Sequence, residues 1–176
     1  MCRKKHRVNG YQNKAKIWKF FRAKYSNELW QVDLKEFKFE GKKYYIFVVI
    51  DDYSRFILGL QLFDHCPTTQ ELTSALQKLS VKPKKILSDN WSQFREQWKS
   101  WCKESSIEAL FAHPYYPQDK GKVERTIRNL AEEFVNLLSK FKRWIHGKLE
   151  VWRIWFNERR FHRGIKDYPS NLYVKL

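Results

Sequence analysis

Three carboxylates stand out by type and position: Asp33, Asp89 and Glu124. Asp33 lies in the strand-like stretch Leu29-Trp30-Gln31-Val32-Asp33-Leu34. Asp89 closes the short apolar run Lys84-Lys85-Ile86-Leu87-Ser88-Asp89. Glu124 follows Tyr116-Pro117-Gln118-Asp119-Lys120-Gly121-Lys122-Val123 and opens a long amphipathic segment. Hard divalent cations take oxygen ligands, and two of them cannot be held beside a phosphodiester without several anionic ones. Three acids on two strands and a helix start, in a very basic chain, therefore point to a divalent-metal site that handles nucleic acid.

The charge supports that direction. Lys and Arg outnumber Asp and Glu by 35 to 19, a net +16 over 176 residues. Such an excess suits polyphosphate partners or an acidic membrane surface. No apolar run approaches the ~20 residues of a membrane span, and no secretory leader pattern opens the chain. A membrane partner is therefore not expected. Cys2, Cys66 and Cys102 are odd in number and far apart, which favours a reducing, intracellular setting over a disulfide framework. His65-Cys66 reads as a loop pair at a strand end rather than as metal ligands.

Residues 1–27 hold nine Lys or Arg and no acid, the signature of a solvated basic arm preceding a core over residues 28–176. Trp18, Phe20, Phe21 and Tyr25 interleave with Lys19, Arg22 and Lys24. Packing on the core and contact with nucleic acid both remain open for this segment.

Strands must position the first two acids. Residues 29–37 alternate, with Trp30, Val32 and Leu34 on one face and Asp33 on the other. Gly41-Lys42-Lys43 signals a turn, residues 44–50 form a continuous apolar run suited to a strand buried on both faces, and residues 56–63 make a third strand. Short turns between them imply an antiparallel meander. Thr68 reads as an N-cap with Glu71 completing a capping box, for a helix to about Leu79. Residues 86–89 form a fourth strand. Phe94, Trp98, Trp101 and Cys102 lie at helical spacing, and residues 108–112 make a fifth strand. Val123, Ile127, Leu130, Phe134, Leu137, Leu138 and Phe141 recur at threes and fours, predicting one long helix. A last helix spans residues 149–162. This order predicts an α/β fold with a mixed sheet of five strands, three as an antiparallel meander and two parallel, flanked by helices.

Leu29-Trp30-Gln31-Val32-Asp33, Val49-Ile50-Asp51-Asp52-Tyr53-Ser54-Arg55, Ser88-Asp89-Asn90 and the stretch from Tyr116-Pro117-Gln118 to Gly121-Lys122-Val123-Glu124-Arg125 together resemble the catalytic core shared by retroviral integrases and insertion-sequence transposases. Phe156-Asn157 with Arg160, His162 and Pro169 resembles the ending of the insertion-sequence branch. The resemblance covers residues 25–174 and implies an RNase H-like fold with Asp33, Asp89 and Glu124 as catalytic, metal-holding acids. It implies two Mg2+ or Mn2+ ions, one activating a water or DNA 3′-hydroxyl and the other stabilising the leaving oxygen. The expected activity is strand cleavage and 3′-end joining on double-stranded DNA, by a homo-dimer or larger oligomer. The insertion-sequence ending sets the expected location in a prokaryotic cytoplasm, associated with the nucleoid. Thirty-four residues separate Asp89 from Glu124, one fewer than in the retroviral pattern.

Lys120, Lys122, Arg125 and Arg128 are candidate DNA contacts on or near the first turns of the Glu124 helix, where Arg128 shares the Glu124 face. Asp51-Asp52 reads as a turn pair accepting hydrogen bonds from the Ser54–Arg55 region, since adjacent strand residues point to opposite faces. Asn90 suits orienting a ligand or capping a helix. Trp91 departs from the glycine usual in transposases and bears on activity more than on fold. The tryptophan-rich helices suit core packing or self-association. Two rivals remain: an RNase H-like nuclease, and a DNA-binding relic without catalysis.

Overall fold

A computed structural model describes residues 23–89, 92–112, 121–135 and 145–174. Strand β1 (Leu29–Phe39) and β2 (Lys42–Asp51) form an antiparallel hairpin, with Phe39 opposite Lys42. The two-residue turn falls on Glu40 and Gly41, both at positive φ (47° and 78°), the geometry that matches strand twist. Strand β3 (Ile57–Phe63) pairs antiparallel with β2, the register shifting between Val49 and Ile50. Strands β4 (Lys85–Ser88) and β5 (Glu108–Phe111) add parallel to β1, giving the order β3-β2-β1-β4-β5. The mixed five-stranded sheet is the one the sequence pattern predicts.

Alternation sorts the side chains onto two cores. Trp30, Val32 and Leu34 of β1 pack with Phe47, Val49 and Ile86 against helix α1 (Thr69–Gln77) and helix α2 (Glu96–Glu104), through Leu72, Leu76, Trp98 and Cys102. Ile46, Val48 and Ile50 of β2, with Ile57 and Leu62 of β3, face helix α3 (Gly121–Leu130) and helix α4 (Ile145–Glu158). Because β2 is covered on both faces, it reads as an unbroken apolar run. Each fully buried Trp, Phe, Ile or Leu contributes about 1.5–3 kcal/mol of burial.

Local signals act where expected. Thr68 caps α1, its hydroxyl accepting from the Glu71 amide at 3.3 Å while the Glu71 carboxylate accepts from the Thr68 amide at 2.8 Å. The single long helix expected over residues 123–141 begins earlier, at Gly121, and widens into a π turn over Ala131–Val135. Its remainder lies outside the described residues. Helix α4 starts at Ile145 and ends at Glu158, short of the predicted residue 162, where the chain turns into a His162–Asp167 bridge before the short helix α5 (Pro169–Leu172).

Edge strand β3 is closed by α4. The Asn157 side chain accepts from the Ile57 amide at 2.8 Å and donates to the Ile57 carbonyl at 3.0 Å, satisfying both backbone groups at the start of that strand. Residues 23–27, expected in the basic arm, join the core instead. Ala23, Ser26 and Asn27 are buried, and Ser26 and Asn27 tie to the carbonyls of Leu172 and Val174 near the other end of the chain. Residues 1–22 lie outside the described residues. Among those described, no helix is long and apolar enough to cross a membrane.

Candidate active site

The parallel β1–β4 register runs from Leu29 opposite Lys85 to Gln31 opposite Leu87. Asp33 lies two residues beyond the last β1 member of that ladder, in the middle of β1, and Asp89 directly follows the end of β4. Residues directly opposite each other on neighbouring strands share a face, and Asp33, opposite Val48 of β2, is on the α3 side of the sheet. Both acids are half-buried. The Asp33 carboxylate also accepts from the Leu34 amide at 3.0 Å.

Helix α3 brings the third acid over that face. Its docking is polar as well as apolar: the Val123 amide donates to the Gln31 Oε1 at 3.2 Å, and Val123, Ile127 and Leu130 are buried below. Gln31 precedes Asp33 by two residues, roughly 7 Å along the strand. Glu124 follows Val123 on the exposed first turn. Among the described residues, no group of three or more His, Cys, Asp or Glu side chains is placed to hold a metal ion. Strand β1 carries Asp33, the end of β4 leads into Asp89, and α3 carries Glu124 on its exposed first turn. Carboxylate oxygens are nonetheless the donors that hard cations such as Mg2+ and Mn2+ take.

What fixes α3 is a buried network that sequence reasoning saw only in part. Asp51 serves the turn as expected, accepting from the Ser54 amide and hydroxyl at 2.8 and 2.7 Å and from the Asn27 amide at 2.8 Å. Burial pushes its carboxyl above the usual range against those bonds. Asp52 does more. Its fully buried carboxylate accepts from the Ala23 amide (2.8 Å), the Gln31 Nε2 (2.7 Å) and the Lys122 Nζ (2.5 Å). Gln31 therefore turns its amide NH2 to Asp52 and its oxygen to Val123. A polar residue between Trp30 and Val32, in a strand buried on both sides, was the available signal for Gln31.

The four candidate DNA-gripping cations separate. At 100° per residue, Glu124 and Arg128 lie on one flank of α3, and Lys122, Arg125 and Asn129 on the other. Arg125 and Arg128 are exposed, whereas Lys122 is bound to Asp52. Lys120 lies outside the described residues, as do Asn90, Trp91, the loop through Pro117 and Trp144. Of the other tryptophans, Trp98 and Trp152 are core residues, while Trp155 is 41% exposed. His65 bonds Asp64 and Glu71, each at 2.9 Å, and both bonds raise its pKa.

A five-stranded mixed sheet in the order β3-β2-β1-β4-β5 with helices on both faces is an RNase H-like fold. A family model described as integrase core domain matches residues 23–117, and a second of the same description matches residues 105–169. The chain belongs to the integrase core domain family. It is 32% identical over 108 residues to the Gag-Pro-Pol polyprotein of Mason-Pfizer monkey virus, a match covering 59% of this chain and 6% of the polyprotein. To the Pro-Pol polyprotein of feline foamy virus it is 40% identical over 57 residues, covering 32% of this chain and 5% of the polyprotein. The chain thus spans about 6% of the curated relatives it matches.

Solved structures agree on the fold. The simian T-cell lymphotropic virus intasome in complex with the PP2A regulatory subunit B56 gamma superposes with a TM-score of 0.79 at 21% identity, covering 90% of this chain and 58% of that one. The HTLV-2 integrase catalytic core domain in complex with magnesium, in its trimeric form, gives 0.72 at 22%, covering 87% and 100%. These relatives overturn the prokaryotic, nucleoid-associated location, because they are retroviral. The ending that suggested it has structural work here: Asn157 closes β3, and Pro169 opens α5.

Proposed function

We propose that the chain is the catalytic core of an integrase that cuts DNA strands and joins 3′-ends to a second duplex, with Asp33, Asp89 and Glu124 as its acids. The observation that carries this reading is the integrase core domain match over residues 23–117, together with Asp33 on the sheet face covered by α3, the helix that bears Glu124. Asp33 and Asp89 would hold Mg2+ or Mn2+ from the sheet and Glu124 from the helix. Bound there, two such ions would activate the attacking hydroxyl and neutralise the leaving oxygen. The chain's own part is positional. The Gln31–Asp52 network fixes the start of α3 and so the place of Glu124, while Arg128, one turn further on the same flank, presents a cation to a phosphate.

The test is a titration of Mg2+ and Mn2+ against nicking and joining of labelled duplex, wild type beside Glu124→Gln. The expected result is saturable metal-dependent nicking and joining, lost on chelation, with Glu124→Gln lower by about a hundredfold or more. Nicking without joining would favour the plain nuclease; neither activity, with duplex binding intact, would favour the relic.

Self-association is the second part of the proposal. Val151, Ile154 and Trp155, at helical spacing on α4, are 67%, 42% and 41% exposed and form an apolar stripe. A second copy of this chain is the occupant we assign to it, in keeping with the dimeric and trimeric forms described for the HTLV-2 core domain. Sedimentation should show Trp155→Glu shifted to monomer at concentrations where wild type associates. An unchanged distribution would exclude this face.

A further inference from the structure

The flank of α3 that turns away from Glu124 borders a cleft whose first cavity has no acidic residue in its lining. A cavity of about 520 Å3 lies between Lys122, Arg125 and Asn129 of α3, Arg55, and the Arg160–Ile165 turn. A second, of about 700 Å3, continues it past Tyr53 and Lys24, the two sharing Arg55, Lys122, Gly164 and Ile165. Asp52, in the second cavity, is occupied by Lys122, Gln31 and Ala23.

Five cations, Arg55, Lys122, Arg125, Arg160 and Arg163, converge on the first cavity. Some are answered from behind. Lys122 is bound by Asp52 at 2.5 Å, Arg160 by Glu133 at 2.6 Å, and Arg55 donates to the Asp52 carbonyl. Arg125 and Arg163 are exposed at the cleft. Converging like charges in a recess focus a positive potential outward. His162, on the same turn, adds a further polar atom. Its Nε2 is buried without a hydrogen-bond partner, and burial and the nearby Arg160 push its pKa down to about 4, so the ring is neutral at physiological pH.

Aromatic rings flank the cations. Phe161 is 56% exposed on the first cavity, held edge-on by Tyr168 with ring centroids 5.8 Å apart, and Tyr53 is 38% exposed on the second. A basic groove interleaved with exposed rings is the combination that binds unpaired strands, phosphates on the cations and bases on the rings. Cavities of this size match those of small-ligand pockets, room for a few nucleotides and too little for the body of a duplex.

We propose that the cleft between α3 and the Arg160–Ile165 turn seats a single-stranded stretch of nucleic acid, its phosphates on Arg125 and Arg163 and a base against Phe161. The proposal rests on the nucleic-acid reading above for the class of polymer, but not on catalysis. It separates the strand that is held from the strand that reacts, placing them on opposite flanks of one helix.

The test is fluorescence anisotropy with a labelled single-stranded oligonucleotide of about 20 nucleotides, longer than one such groove covers, in chelator and over a range of salt. Arg125→Glu with Arg163→Glu should weaken binding about tenfold or more and flatten the slope of log affinity against log salt by about 1–2. Phe161→Ala should weaken the single strand about tenfold and leave a blunt duplex of the same sequence unaffected. Arg159→Glu, an exposed charge reversal outside the cleft, serves as control, with thermal melting to confirm each fold. Unchanged single-strand affinity in the double variant overturns the proposal. So does an equal loss for duplex with no effect of Phe161→Ala, which would mark a duplex-backbone surface. Catalysis is judged apart: Asp33→Asn should bind the single strand as wild type does. Wild type that binds through the cleft but never nicks would overturn the catalytic reading alone.

Discussion

Asp33→Asn is expected to lower metal-dependent nicking and joining by about a thousandfold while leaving duplex affinity equal to wild type or slightly higher. The substitution keeps the size and shape of the side chain and removes one negative charge. A hard cation bound by few carboxylates loses a large share of its hold when one becomes an amide, and the charge stabilisation at stake is several kcal/mol, at 1.36 kcal/mol per factor of ten in rate. The fold should tolerate the change, since Asp33 is half-buried and asparagine keeps an oxygen for the bond from the Leu34 amide. Phosphates are repelled by a carboxylate, so binding without metal should not suffer. Asp89→Asn should behave alike, because the proposal gives both acids the same metal-holding role. Single-turnover nicking with Mg2+ and Mn2+, beside filter binding, reads both effects. An Asp33→Asn rate within tenfold of wild type would remove Asp33 from the chemistry.

The largest effect on stability is expected at Asp52. Three donors converge on its two oxygens: the Ala23 amide, the Gln31 side chain and the Lys122 ammonium. Asparagine offers one oxygen and adds an NH2 group that must face a donor. A buried cation left without its partner typically costs 3–5 kcal/mol. Lys122, with its side chain 22% exposed, can recover part of that from water, so Asp52→Asn should destabilise by about 2–4 kcal/mol. Urea unfolding measures it. Adding Lys122→Met should return part of the loss, because the stranded charge is gone, whereas strictly additive effects would show that the pair is not coupled. Catalysis should fall as well in the folded fraction of Asp52→Asn. Asp52 accepts from the Gln31 NH2 and so helps to set which way that amide points, and the hydrogen bond that seats Val123, beside Glu124, depends on that orientation.

Much of this molecule is written in short-range terms. The alternation of β1, the continuous apolar β2, the Thr68–Glu71 capping box and the three-four spacing of Val123, Ile127 and Leu130 each reflect a residue's own neighbours, and all are found in the structure. The three acids stood out as candidates because hard-cation chemistry restricts the residue types that serve it. Helix ends were less so. The π turn at Ala131–Val135 and the stop at Glu158 depend on packing, which no apolar period encodes.

Only the tertiary structure decides what lies beside what. A parallel register across more than fifty residues of chain makes Gln31 a neighbour of Leu87, and nothing local to either sets that distance. Asp52 reads as one half of a turn until the fold carries Ala23, Gln31 and Lys122 to it, twenty-one to seventy residues away in sequence. Likewise Lys122, Arg125 and Arg128 form one basic cluster on paper. Burying Val123, Ile127 and Leu130 against the sheet fixes the rotation of α3, and that rotation sends Arg128 to the flank of Glu124 and Arg125 to the cleft. Residue types and periods are properties of the chain. Which side of a helix meets which strand is set by the free energy of burying the whole sheet at once.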